Sequence, residues 1–139
     1  MVKALSIVLV CLLAVAPATG LAKPTKGRPF AQTQITIQLQ PDHETVCLAL
    51  NGLAQPVLSS LEGERPRIVI DLTGVGRWQG RSSVAVGGAL IHQVRAYLDR
   101  PSGRLRLVVD LAPGLDYAAD PVYYSENDLF CLTVRRQHP

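Results

Sequence analysis

From Gln34 onward the apolar residues of this chain recur at every second position, in short runs. Nowhere do they hold a 3.6-residue period long enough to bury one face of a helix. Ile35, Ile37 and Leu39 alternate with Thr36, Gln38 and Gln40 until Pro41-Asp42-His43 stops the run. Glu44 to Leu50 follows with Val46, Leu48 and Leu50 on one face, and Asn51-Gly52 turns it. Further strands are predicted over residues 57–61, 67–72, 83–86, 90–98 and 106–111, then as two short pieces, 117–119 and 122–124, and finally over 129–134. In the 90–98 run, Ile91, Val94 and Tyr97 are the expected core contacts. Ten prolines and eleven glycines supply the punctuation, because they preset or permit the backbone angles that tight turns require. Short strands at close turn spacing can bury an apolar face only by stacking sheet on sheet. The expected fold is therefore all-β, a small pseudo-symmetric β-sandwich of two antiparallel sheets over residues 34–135.

The residues before this domain have a different character. Lys3 precedes an apolar run from Ala4 to Val15, Pro17 breaks it, and small residues lead to Gly20-Leu21-Ala22. This is the three-part layout of a secretory signal peptide, with cleavage expected after Ala22 or, alternatively, Ala18. The run is shorter than the roughly 20 residues that a membrane span requires. An uncleaved N-terminal anchor is the other reading. Residues 23–33 read as a flexible leader and 136–139 as a polar tail. A periplasmic location follows as an expectation. Loss of residues 1–22 removes Cys11 and leaves Cys47 and Cys131. In an oxidising compartment these two can bridge, and otherwise they are buried apolar thiols. A bridge between them would close a long loop and add roughly 4 kcal/mol.

Two strands repeat each other. Arg67-Ile-Val-Ile-Asp-Leu72 and Arg106-Leu-Val-Val-Asp-Leu111 are nearly one string, which suggests two homologous meanders, expected to face one another across the sandwich. Asp71 and Asp110 end their apolar runs, so their expected roles are structural. Each could accept bonds from turn N–H groups or pair with an arginine on a neighbouring strand.

The same strings carry a family resemblance. Pro66-Arg67-Ile68-Val69-Ile70-Asp71-Leu72, then Ile91 and Val94-Arg95, then Leu105-Arg106-Leu107-Val108-Val109-Asp110-Leu111, then Leu129 to Val134, follow one another in an order that resembles an AMIN domain. That is the N-terminal targeting domain of periplasmic N-acetylmuramoyl-L-alanine amidases, found also in type IV pilus secretins. The likeness runs from Ile35 to Val134 and rests on strand signatures. It implies a two-sheet sandwich in the cell envelope that binds peptidoglycan and helps localise a wall-remodelling, division or pilus complex. An amidase, a secretin or a pilus-assembly protein would be its partner. Family members usually carry the module beside an amidase or a secretin pore, so this chain reads as a free-standing version. The alternative is a protein–protein interaction module accessory to a secretin or type IV pilus assembly.

Chemistry-bearing motifs are sparse. His43, His92 and His138 have no second ligand at metal-binding spacing, and neither a nucleophile elbow nor a glycine-rich phosphate loop is present. The sequence reads as a binding protein, with no enzyme activity, metal or cofactor expected. Lys and Arg total 14 against 11 Asp and Glu, an excess too slight, in an exported chain, to suggest nucleic acid. Arginine dominates the cations, with eleven against two lysines beyond residue 22, and its planar fork suits carboxylates and phosphates. Two groups are the candidate glycan contacts. Arg77, Trp78 and Arg81 share a glycine-rich loop, in which the indole either stacks on sugar or caps the core. Arg95, Arg104 and Arg106 could form a basic stripe on adjacent strands, or pair with Asp99 and other acids.

Overall fold

A computed structural model describes residues 31–138 apart from Leu53. The expected signal peptide and most of the expected leader lie outside the described residues. The first strand begins at Ala31, inside the stretch read as leader.

Among the described residues nine strands form: β1 Ala31–Leu39, β2 His43–Leu50, β3 Gln55–Leu61, β4 Arg67–Thr73, β5 Ser83–Ala85, β6 Ile91–Asp99, β7 Arg104–Leu111, β8 Tyr117–Tyr124 and β9 Leu129–Arg136. They build two antiparallel sheets. One has four strands in the order β1-β2-β9-β8, and the other five in the order β3-β4-β7-β6-β5. The chain crosses between sheets after β2 and again after β7. Both inner faces are apolar because alternate residues of each strand point inward. Val46, Leu48 and Leu50 of β2 and Phe130, Leu132 and Val134 of β9 meet Ile68, Ile70 and Leu72 of β4 and Leu105, Leu107 and Val109 of β7. Each such side chain contributes about 1.5–3 kcal/mol when fully buried.

The duplicated strings do not face one another. As β4 and β7 they are neighbours in the five-stranded sheet, antiparallel, with Arg67 opposite Asp110 and Asp71 opposite Arg106. Both copies carry apolar residues at the same alternate positions, so both present them to one core face, and pairing side by side satisfies that pattern as well as stacking would.

Two local expectations also change. Tyr97 is not a core residue but lies 68% exposed. The pairing of β6 with β7 shifts register between Ile91 and Gln93, and an extra residue there reverses which parity faces inward. Ile91, Val94 and Ala96 are buried and Tyr97 points outward. The two short pieces expected over 117–124 form one strand that runs through Pro121. β8 lies at the margin of its sheet, where a residue without an N–H is tolerated.

The loop between β4 and β5 is tied to the β6–β7 hairpin. Val75 is fully buried and its N–H donates to the Gly103 carbonyl at 2.8 Å. Gly103 has φ +66°, and a Cβ there would meet the Val75 carbonyl oxygen at 3.3 Å, so only glycine fits without strain.

Candidate functional site

The outer face of the five-stranded sheet carries most of the charged residues singled out above. On β4 and β7 the outward positions include Arg67, Asp71, Arg106 and Asp110, because their neighbours Ile68, Ile70, Leu107 and Val109 take the core side. Arg106 donates through Nε to Asp71 Oδ1 and through Nη2 to Asp71 Oδ2, each at 2.8 Å. Arg95, on β6, makes the same two-pronged contact with Asp110, again at 2.8 Å for both bonds. Gln93 Nε2 adds a third bond to Asp110 at 2.8 Å. Both aspartates therefore serve the sheet as cross-strand partners of arginine, not as acceptors for turn N–H groups.

The two carboxyls feel these forks. Hydrogen bonding from Arg106 holds Asp71 below the ordinary carboxylate value despite partial burial. Burial pushes Asp110 upward, but the bonds from Arg95 and Gln93 outweigh it and leave this group lowered as well. Each group has a lower pKa in the folded chain than in the unfolded one, so its stabilisation is complete above the unfolded value near 3.8 and is lost as pH falls through the folded value. In thermal melts, the Asp71→Asn/Asp110→Asn double variant should therefore melt below the wild type at pH 7. The two melting curves should converge as the pH is taken from about 5 toward 2. A gap that stays constant down to acid pH would show that the charges contribute nothing.

The pseudo-twofold relation of β4 and β7 makes the asymmetry informative. Asp71 takes the arginine directly across from it. Asp110 is bound by Arg95, and Arg67, the residue directly across from it, has no ion pair among the described residues. Arg67, intermediate in exposure, lines two hollows. One, of about 540 Å³, is lined by Arg65, Arg67, His92, Gln93, Arg95 and Asp110. The other, of about 440 Å³, lies between the β3–β4 turn and the β7–β8 crossover, with Leu61, Arg67, Leu115 and Tyr117 on its walls. Pro66, Arg67 and Leu111 belong to both. In the larger hollow Asp110 already accepts three bonds from Arg95 and Gln93 and also feels the charge of Arg67, while the Arg65 and Arg67 guanidiniums make no ion pair among the described residues and suit a carboxylate from outside.

The expected glycan contacts divide between the opposite end of this face and its middle. Arg104 stands across from Asp99 at the β6–β7 hairpin, and the 74–82 loop is tied to the same end through Val75 and through the Ser82 carbonyl, which accepts from Ala96 at 2.9 Å. Arg77 and Arg81 are exposed there. Trp78 is partly buried against the core, and a Cβ on Gly80 would come within 2.2 Å of its ring. The indole Nε1 is buried with no acceptor among the described residues. Arg95 and Arg106 lie mid-face with their forks occupied.

Two features were not singled out from sequence. Arg67 was quoted only as part of a strand, although pairing the two repeats antiparallel would have set it opposite Asp110. The other is Glu44, 2% exposed on the inner face of β2. Its carboxylate reaches the five-stranded sheet and accepts from the Leu90 N–H at 3.1 Å and the Ile91 N–H at 2.7 Å. Gly88 permits this approach, since a Cβ there would lie 2.3 Å from Glu44 Oε2. Glu44 shares the parity of Val46, Leu48 and Leu50, which was the available signal.

Cys47 and Cys131 are directly opposite on β2 and β9 and are joined by a disulfide, with Cα atoms 4.1 Å apart. Among the described residues no group of three or more His, Cys, Asp or Glu is placed to hold a metal ion, and no helix is long and apolar enough to cross a membrane. No protein-family model matches the chain, and no curated protein matches it.

Proposed function

We propose that this chain is a non-catalytic binding module of the cell envelope. In this reading it is an AMIN-like sandwich that holds peptidoglycan and so helps place a wall-remodelling, division or pilus complex. The observation that carries the reading is Arg67, which lines both hollows and makes no ion pair among the described residues, on a face whose central arginines Arg95 and Arg106 are already paired. Peptidoglycan stem peptides present carboxylates, and a guanidinium binds a carboxylate through two parallel bonds. The disulfide agrees with an oxidising compartment, and the signal-like N-terminus agrees with export.

Co-sedimentation with purified sacculi at low salt tests this. The wild type should pellet with the wall, and Arg67→Ala should weaken binding roughly tenfold with an unchanged melting temperature. Arg67→Lys should recover only part of the affinity, since a point charge replaces a fork. No pelleting, or an Arg67→Ala variant that binds like the wild type, rejects the proposal.

The alternative, a protein–protein module accessory to a secretin or pilus assembly, is favoured by a different observation. Val57, Leu61 and Tyr97 are exposed apolar residues on the same outer face, at 60%, 46% and 68%. Capture from envelope extract of one stoichiometric partner, retained after the wall is digested away, would support that reading over wall binding.

A further inference from the structure

Open sheet margins invite pairing with other chains, and folded proteins usually block them with prolines, charges or shortness. Among the described residues the two sheets have four margins, and three of them are blocked. β3 carries Pro56, β8 carries Asp120 and Pro121, and β5 is only three residues long. The fourth, β1, reads Ala-Gln-Thr-Gln-Ile-Thr-Ile-Gln-Leu, nine residues with neither a proline nor an ionisable side chain.

The direction of its backbone groups follows from the ladder. Antiparallel pairs that exchange no hydrogen bond approach most closely, and the 4.1 Å separation of Cys47 and Cys131 marks theirs as such a pair. Cys47 therefore directs its N–H and C=O toward its β1 partner, Thr36. The Gln40 N–H donates to the His43 carbonyl at 2.9 Å, in the same phase. Thr36 and Gln38 thus bond to β2, while Ile35, Ile37 and Leu39 turn their backbone groups to the open side. Their side chains lie along the flank of the core, which they cover incompletely. Ile35 and Ile37 are partly buried, and Leu39 is 51% exposed.

We infer that β1 is a self-association edge whose occupant is β1 of a second copy of this chain, paired antiparallel about Ile37. In that arrangement Ile37 meets its own copy and Ile35 meets Leu39, and each of these pairs exchanges both backbone bonds. Thr36 stands opposite Gln38 on the outer face. Apolar residues face apolar ones, polar residues face polar ones, and no like charges meet. The half-covered flanks of two cores join under one continuous sheet. A foreign strand would find backbone groups as well, but only a second copy is guaranteed to bring the matching parity and the missing apolar flank together.

Sedimentation equilibrium on the exported chain, disulfide intact, should show a reversible monomer–dimer equilibrium. Thr36→Lys/Gln38→Lys places lysine opposite lysine across the pair and should weaken the dimer roughly tenfold or more. Its melting temperature, measured in dilute solution where monomer prevails, should match the wild type. Mixing it with Thr36→Glu/Gln38→Glu should restore association as a heterodimer, because opposite charges then meet. A chain that stays monomeric up to about 1 mM, or a dimer indifferent to both double variants, overturns the inference.

Discussion

Removing the Cys47–Cys131 bridge should cost this fold more than any other single covalent change. The cysteines are 84 residues apart in sequence, and a loop of that length, if closed in the unfolded chain, lowers its entropy by the equivalent of about 4.5 kcal/mol. A typical domain has about 5–15 kcal/mol of stability in total, so the bridge supplies a large share. The bond also staples β2 to β9, the two central strands of the four-stranded sheet. Urea unfolding of the Cys47→Ala/Cys131→Ala variant should show a stability loss of about 3–4.5 kcal/mol, and dithiothreitol should bring the wild type most of the way to the same midpoint. A loss below about 1 kcal/mol would mean that the unfolded chain is already constrained without the bond.

Glu44→Ala should produce the second large effect. The carboxylate is buried between the sheets and accepts the N–H groups of Leu90 and Ile91. Truncation leaves two buried donors without partners, at about 1–3 kcal/mol each, so a loss near 3 kcal/mol is expected. Glu44→Gln should fall between, because one of its two terminal atoms would present hydrogens to a donor. Hydrogen exchange isolates the mechanism. The Leu90 and Ile91 amides should be slow to exchange in the wild type and fast in Glu44→Ala, while the Leu107 amide in β7 keeps its relative protection. Uniform acceleration at all three would make the effect a general loss of packing.

The strands were legible because their signal is local. Val46, Leu48 and Leu50, or Leu105, Leu107 and Val109, declare their face by alternation alone, and that is enough to require two stacked sheets. What the alternation does not carry is phase across an irregularity. Ile91, Val94 and Tyr97 were grouped as core residues, and a register shift near His92 sent Tyr97 to the solvent. Pro121 looked like a break because its effect depends on whether a neighbouring strand needs the missing N–H, which is a tertiary fact. Pairing partners are tertiary too. The repeated Arg/Asp strings could be seen, but not that they would lie side by side, nor that Arg95 would take the hydrogen bonds of Asp110 and leave Arg67 without an ion pair among the described residues. Trp78 between two arginines was conspicuous in sequence, yet its ring leans on the core.

The connectivity has a temporal consequence. The five-stranded sheet uses an uninterrupted stretch, from Gln55 to Leu111, while the other sheet joins the first two strands to the last two. A chain emerging N-terminus first from a ribosome or a secretion channel can complete the former while its end is still held back. β2 can pair with β1 at once but must wait for β9 on its other side, and sulfur cannot meet sulfur until Cys131 is free. The bridge can therefore close only after the last strand has emerged, and until then Cys47 lacks the partner it has in the folded domain.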